Sequence, residues 1–293
     1  MSMQEFSDNL STLSYVSRRR APLWLFDPKK KTLLGRTATS WALCLLFYLV
    51  YYTCLAAFFM GMMMVFLHTQ VPTGEPTRTG MQSILQLRPG LGFRPMVDVR
   101  KSLIKFAKSD PQQYLLYTEN INAYLEIYDS VNSKPSGQFA NCDNGTKIPD
   151  DVEKVCRFPL SKLDPCNREN KFGYPDGKPC VIVKLNKIYG WLPDIERPEL
   201  SSNVLINCTG QNPADVDNIH ELDYYPGVSI DGKKYGMFEN TYFPFLGQPG
   251  YLAPLVAVQF KSVTSHMAIL VECQLRNLKN AYESQLAFEL MVD

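Results

Sequence analysis

The chain has 293 residues, 45% of them hydrophobic, and a formal net charge of +1. This length supports one or two domains with a sizeable core, and the near-neutral balance excludes nucleic-acid binding through bulk positive charge. The charge is unevenly placed: residues 1–67 carry seven Lys/Arg against three Asp/Glu, whereas residues 68–293 carry 23 against 26.

Residues 1–40 are polar, basic and rich in Ser and Thr. They lack apolar periodicity and are expected to form an unstructured tail on the cytosolic side. From Trp41 to Leu67 the sequence WALCLLFYLVYYTCLAAFFMGMMMVFL runs without a charge. A helix of about 20 apolar residues crosses a bilayer, so 41–67 predicts a transmembrane segment, and lipid is its first partner. Forty residues precede it and no small-x-small cleavage site follows, which makes it an uncleaved signal anchor rather than a signal peptide. Arg18, Arg19, Arg20, Lys29, Lys30, Lys31 and Arg36 lie upstream, and only Arg78 and Arg88 lie close downstream. The positive flank stays inside, which predicts a type II protein with its C-terminus outside. Within the anchor, Thr53, Ala57 and Gly61 repeat every four residues, a spacing that lets a second helix backbone approach closely. Tyr48 and Tyr52 form another stripe, whose hydroxyls seek hydrogen bonds at membrane depth. The plainer reading of either stripe is lipid contact.

Residues 68–97 contain Pro72, Pro76, Pro89 and Pro95 among several glycines and read as an extended stalk. The remainder, 98–293, reads as the exported domain. It opens on a helix capped by Asp110 with Pro111 at its first position. Tyr114, Tyr117, Ile121, Tyr124, Leu125 and Tyr128 share one face of that helix, a face for core packing. After about Ser130, short runs of strand character alternate with loops: Val181–Lys187, Val204–Ile206, Leu255–Phe260, Met267–Glu272 and Leu286–Val292. Short strands punctuated by turns predict an antiparallel sandwich.

Cys44 and Cys54 fall in the anchor, while Cys142, Cys156, Cys166, Cys180, Cys208 and Cys273 all fall in the exported part. Six cysteines in an oxidising compartment imply three disulfides among fifteen possible pairings. They contain no CxxC, and the chain's three histidines are scattered, so no metal site or other cofactor is expected. The sequons Asn144-Gly145-Thr146 and Asn207-Cys208-Thr209 lie on the exported side and predict N-linked glycans there; Asn9-Leu10-Ser11 lies on the cytosolic side and predicts none.

Catalytic motifs are scarce: the sequence holds no Gly-rich phosphate loop, GxSxG or HExxH. Golgi glycosyltransferases share the type II plan and often bind a metal through Asp-x-Asp, which Asp215-Val216-Asp217 matches. That triplet sits in a polar stretch after Asn212-Pro213 rather than at the end of an apolar strand, and reads as a solvated loop. A free-standing adhesion glycoprotein is a further alternative to an enzyme.

Several segments resemble the beta subunits of the sodium/potassium and hydrogen/potassium pumps. They are Leu34-Gly35-Arg36-Thr37, Phe47-Tyr48, Tyr51 through Ala57, Val155-Cys156-Arg157-Phe158, Gly177-Lys178-Pro179-Cys180, Cys208-Thr209-Gly210, Tyr224-Tyr225-Pro226 and Tyr251 through Phe260. The resemblance spans most of 33–275. It implies the pairings Cys142–Cys156, Cys166–Cys180 and Cys208–Cys273, and an immunoglobulin-like sandwich with one added helix. It also implies a non-catalytic subunit in the plasma membrane that helps a catalytic alpha subunit fold and reach the surface, and that tunes its potassium handling. A small single-span regulatory subunit is an implied further partner. Tyr48 and Tyr52, with Tyr224 and Tyr225, would face the alpha subunit. The chain departs from the family where Gly227 follows Pro226, and where Thr53 and Ala57 replace common glycines.

Overall fold

The computed structural model describes residues 26–27, 32–71, 74–135, 137, 139–140, 142, 154–279 and 284–293. The chain divides into two units, Met1–Pro72 and Thr73–Asp293.

Among the described residues the first unit holds three short strands ahead of its helix, β1 (Phe26–Asp27), β2 (Thr32–Leu33) and β3 (Arg36–Thr37), paired antiparallel in that order. This part of the tail is therefore ordered, contrary to the expectation for 1–40. Leu34 and Gly35 both take positive φ, 51° and 75°, in the two-residue turn that pairs Leu33 with Arg36. A turn of this kind matches the twist of its flanking strands, and glycine supplies one of its two positions without strain. Helix α1 comes next, without a break, as Ala38–Gln70, three residues beyond the expected span at each end. Thr37 caps it, its Oγ1 accepting from Ser40 N at 3.4 Å, and the Trp41 indole donates to Leu33 O at 2.9 Å.

The second unit is a two-sheet sandwich with helices added. In chain order its strands and helices are β4 (Leu91–Arg94), β5 (Leu103–Phe106), α2 (Pro111–Asn132), β6 (Phe139–Ala140), β7 (Val155–Cys156), β8 (Cys180–Leu185), β9 (Val204–Gly210), α3 (Pro213–Asn218), β10 (Ile219–Tyr225), β11 (Gly227–Ile230), β12 (Lys233–Phe238), β13 (Leu255–Val263), β14 (Ile269–Arg276) and β15 (Gln285–Val292). One sheet has the order β10-β13-β8-β4 and the other β11-β12-β9-β14-β15-β5. All pairs in both sheets are antiparallel except β15 with β5, which is parallel. Strand β4 lies within the segment expected to be a stalk. It instead pairs with β8, Phe93 opposite Val183, because Leu91 and Phe93 alternate with Gly92 and Arg94 and supply one buried face.

The two sheets meet through side chains of alternate residues. Phe93 stacks on Phe288 at 5.1 Å between ring centroids, and Phe260 meets Phe288 edge-on at 6.1 Å. At Gly236 a Cβ would lie 2.6 Å from both Ile206 Cγ2 and Val256 Cγ1, so glycine is what lets the sheets close at that point. The neighbours of these inward residues point the other way: Arg94 and Lys184 stack on the Tyr124 ring of α2 at 5.2 and 5.6 Å. Helix α2 therefore covers the outer face of the four-stranded sheet, and this is why β8 and β13 bury nearly every residue instead of alternating.

The tyrosines of α2 anchor it through their hydroxyls. Tyr128 donates to Ala253 O at 2.8 Å, and the Tyr117 hydroxyl both accepts from Lys105 N and donates to Lys105 O. Asp110 caps the helix by accepting from Gln112 N at 3.0 Å, and Asn120 bonds both the N–H and the C=O of Met96.

Three disulfides close the second unit: Cys142–Cys156, Cys166–Cys180 and Cys208–Cys273. The third joins directly opposed residues of β9 and β14, with Cα atoms 4.0 Å apart. It lies within one sheet, its sulfurs facing the core, rather than bridging the two sheets.

Candidate partner interface

Helix α1 has no buried residue. A helix apolar on every side has no stable place in water, so its surroundings must be lipid, another helix, or both. Its aromatic residues organise themselves at helical spacing. Phe47 stacks on Tyr51 at 6.3 Å, and Tyr48 on Tyr52 at 6.0 Å, giving a continuous four-ring patch joined by edge contacts. The Thr53 hydroxyl donates to Leu49 O at 2.7 Å, so this polar group is satisfied inside its own helix and the outward surface at Thr53, Ala57 and Gly61 stays small. On an α-helix that small stripe lies about 140° around from the aromatic one. Two separate faces are thus available.

In the second unit, Tyr224 and Tyr225 alternate along β10 and part company. Tyr224 points inward and is buried. Its hydroxyl accepts from Cys208 N at 2.9 Å and donates to Cys208 O at 3.3 Å, across from β10 to β9. Those two backbone groups need it, because Cys208 sits where the β9–β14 ladder places a side-chain pair rather than a hydrogen-bonded one. Burial pushes the Tyr224 phenol up to about 12. The expectation that Tyr224 faces a partner is corrected accordingly: period-two alternation makes it a core residue.

Tyr225 points outward and is half-buried. Its hydroxyl lies 3.3 Å from Asp223 Oδ2 and 3.4 Å from Gln259 Oε1. Asp223 is in turn bonded by the ammonium groups of Lys234 and Lys261, and Lys234 also reaches Glu221 at 3.1 Å. Burial raises the Asp223 carboxyl, but the hydrogen bonds from the two lysines outweigh it and hold the group below its usual range. Burial, and next the Asp223 charge, raise the Tyr225 phenol. The result is an ordered polar surface around one tyrosine, suited to recognition.

Residues 17–289 match the family described as sodium/potassium ATPase beta chain. The chain belongs to that family. Among beta-chain relatives, the sodium/potassium-transporting ATPase subunit beta-233 of Anguilla anguilla is 34% identical, covering 86% of this chain and 87% of its own. Subunit beta-1 of Drosophila melanogaster is 32% identical over 85% and 83%. A probable subunit beta-3 of Caenorhabditis briggsae is 29% identical over 92% and 86%.

Of the other expected sites, Asn207 lies on β9, on the face opposite Cys208, whereas Asn144 lies outside the described residues. Asp215, expected in a solvated loop, is instead in the helical turn α3, where Asn212 Oδ1 caps Asp215 N at 2.9 Å. Asp215 is buried, its backbone and Cβ pack closely on Gly210, and one of its carboxylate oxygens lacks a hydrogen-bond partner. Among the described residues no three His, Cys, Asp or Glu side chains come together as a metal site. The polar cluster around Tyr225 was missed by sequence reasoning. Its only signal was alternation along β10, which a bulge near Glu221 disrupts.

Proposed function

We infer that this chain is the non-catalytic beta subunit of a sodium/potassium-transporting ATPase. It is a type II protein of the plasma membrane that helps the catalytic alpha subunit fold and reach the surface and that tunes its potassium handling. The observation that carries this reading is the family match, which spans helix α1 and the sandwich together. Relatives named as such subunits align over more than four-fifths of their own length.

The long apolar helix, none of whose residues is buried, supports a membrane partner. The Phe47–Tyr52 patch is the face for the alpha subunit, and Tyr225 with its Asp223–lysine surroundings is a second contact outside the membrane. The small stripe at Thr53, Ala57 and Gly61 is left for lipid or for a small single-span regulatory subunit. Asn144 and Asn207 carry N-linked glycans in this topology.

The test is affinity capture of the full chain from native membranes in mild detergent, with mass spectrometry of the co-purified proteins. A multi-span P-type ATPase in near-equal amount is expected. Failure to recover one, or metal-dependent sugar transfer by the purified chain, overturns the reading.

A further inference from the structure

A cavity of about 880 Å³ opens on the outer face of the six-stranded sheet, between strands β9, β12 and β14 and the segments 196–200 and 276–279. Its size falls within the ~300–1,000 Å³ typical of sites that hold a small ligand. Asn207 stands in its wall. Gln274 lies directly opposite Asn207 on β14. Tyr235 is one position past the Gly236–Ile206 pair on β12, which brings it alongside Asn207 from the other side. The rim carries long polar side chains, Lys233 and Arg276 among them, and the floor includes Leu205. The Asn207 side-chain amide makes no hydrogen bond to the described protein, although its backbone is held in the ladder. Thr209, two residues on along the strand, shares its outward face and completes the sequon, while Cys208 between them faces the core.

We propose that this cavity is the seat of the first sugars of an N-linked glycan on Asn207. Any substituent on Nδ2 starts inside the cavity, so attachment alone places it there. The lining suits a neutral, hydroxyl-rich chain bearing N-acetyl groups. The Tyr235 ring offers a flat apolar face to sugar C–H groups. The amide and cationic side chains donate to hydroxyl and acetyl oxygens. Burial of the glycan core would then stabilise the β9–β12–β14 surface, giving the sugar a structural role on this sheet. The proposal rests on the outside placement of the sandwich argued above.

The test uses the full chain produced with its ATPase partner in cells and purified in mild detergent. Glycopeptide mass spectrometry reads occupancy at Asn9, Asn144 and Asn207. Endoglycosidase release from Asn207 is then timed on native and denatured protein, for the original chain and for Tyr235→Ala. Native release is expected to accelerate about tenfold in Tyr235→Ala, the factor that about 1.4 kcal/mol of lost contact gives. Release after denaturation is expected to be equal in the two. In a second measurement, Tyr235→Ala is expected to lower the thermal midpoint more in the glycosylated chain than in the Thr209→Val background, which lacks the sequon. Equal native release rates in the two chains, or the same midpoint loss in both backgrounds, would overturn the seat. A bare Asn207 beside an occupied Asn144 overturns the seat and leaves the topology standing; a glycan on Asn9 overturns the topology as well.

Discussion

Tyr224→Phe removes a single oxygen atom, one that serves the N–H and the C=O of Cys208 at once, inside the core and next to the Cys208–Cys273 bridge. Phenylalanine fills the same volume, so no cavity forms; the change leaves a buried donor and acceptor without partners. Leaving such groups unsatisfied costs about 1–3 kcal/mol. At about 2–4 °C per kcal/mol for a unit of this size, the melting midpoint should fall by about 2–12 °C. The pH dependence gives a second signature. The folded phenol titrates at about 12 and the unfolded one near 10. A raised folded value means that the stability it contributes is complete below pH 10 and is lost as pH rises through 12. The loss amounts to about 2–3 kcal/mol. Tyr128, Tyr174 and Tyr251 are also raised by burial and slope both proteins alike, so the difference between the two curves isolates Tyr224. The assay is thermal unfolding of the full chain, followed by tryptophan fluorescence between pH 8 and pH 11. The variant should melt lower at pH 8, and the gap should narrow above pH 10. A midpoint at pH 8 within about one degree of the original, less than the smallest loss calculated, would refute the buried double bond to Cys208.

Tyr48→Leu with Tyr52→Leu should leave membrane insertion intact and reduce ATPase recovery only partly, since intramembrane hydrogen bonds average about 0.6 kcal/mol each; unchanged recovery in a detergent pull-down would remove the aromatic face from the interface. Single changes Asn144→Gln and Asn207→Gln should each take one step off the glycan ladder on a gel, and Asn9→Gln none. Replacing Cys208 and Cys273 together should lower surface delivery more than replacing either other pair, measured by surface biotinylation of three double variants. Loop-closure entropy assigns about 4 kcal/mol to the bridge with sequence separation 65 and about 3 to each with separation 14. The long bridge also joins two neighbouring strands of the six-stranded sheet, β9 and β14, whereas each short bridge ties a residue outside the strands to the end residue of one strand; equal delivery of all three variants would remove that distinction.

Local signals in the sequence determined the membrane helix, the capped start of α2 and the strand character of β8, β9, β13, β14 and β15. Each rests on something a short segment settles by itself: an uncharged run, Asp110 before Pro111, or alternation as clean as Leu286, Phe288, Leu290 and Val292. The disulfide pairs were legible only through family resemblance, because spacing allows fifteen pairings. Tertiary structure decided what depends on distant partners. Strand β4 is too short and glycine-rich to announce itself, and exists because β8, far along the chain, offers it an edge. The parallel pairing of β5 with β15 joins opposite ends of the sandwich, and no local pattern encodes it. Tyr224 and Tyr225 read alike as neighbours in an aromatic motif, yet which one serves the core and which one faces outward depends on the register of β10 on β13, since a shift of one residue would exchange them. The same logic turned Cys208 inward and Asn207 outward, and so set a bridge and a sequon asparagine on opposite faces of one strand.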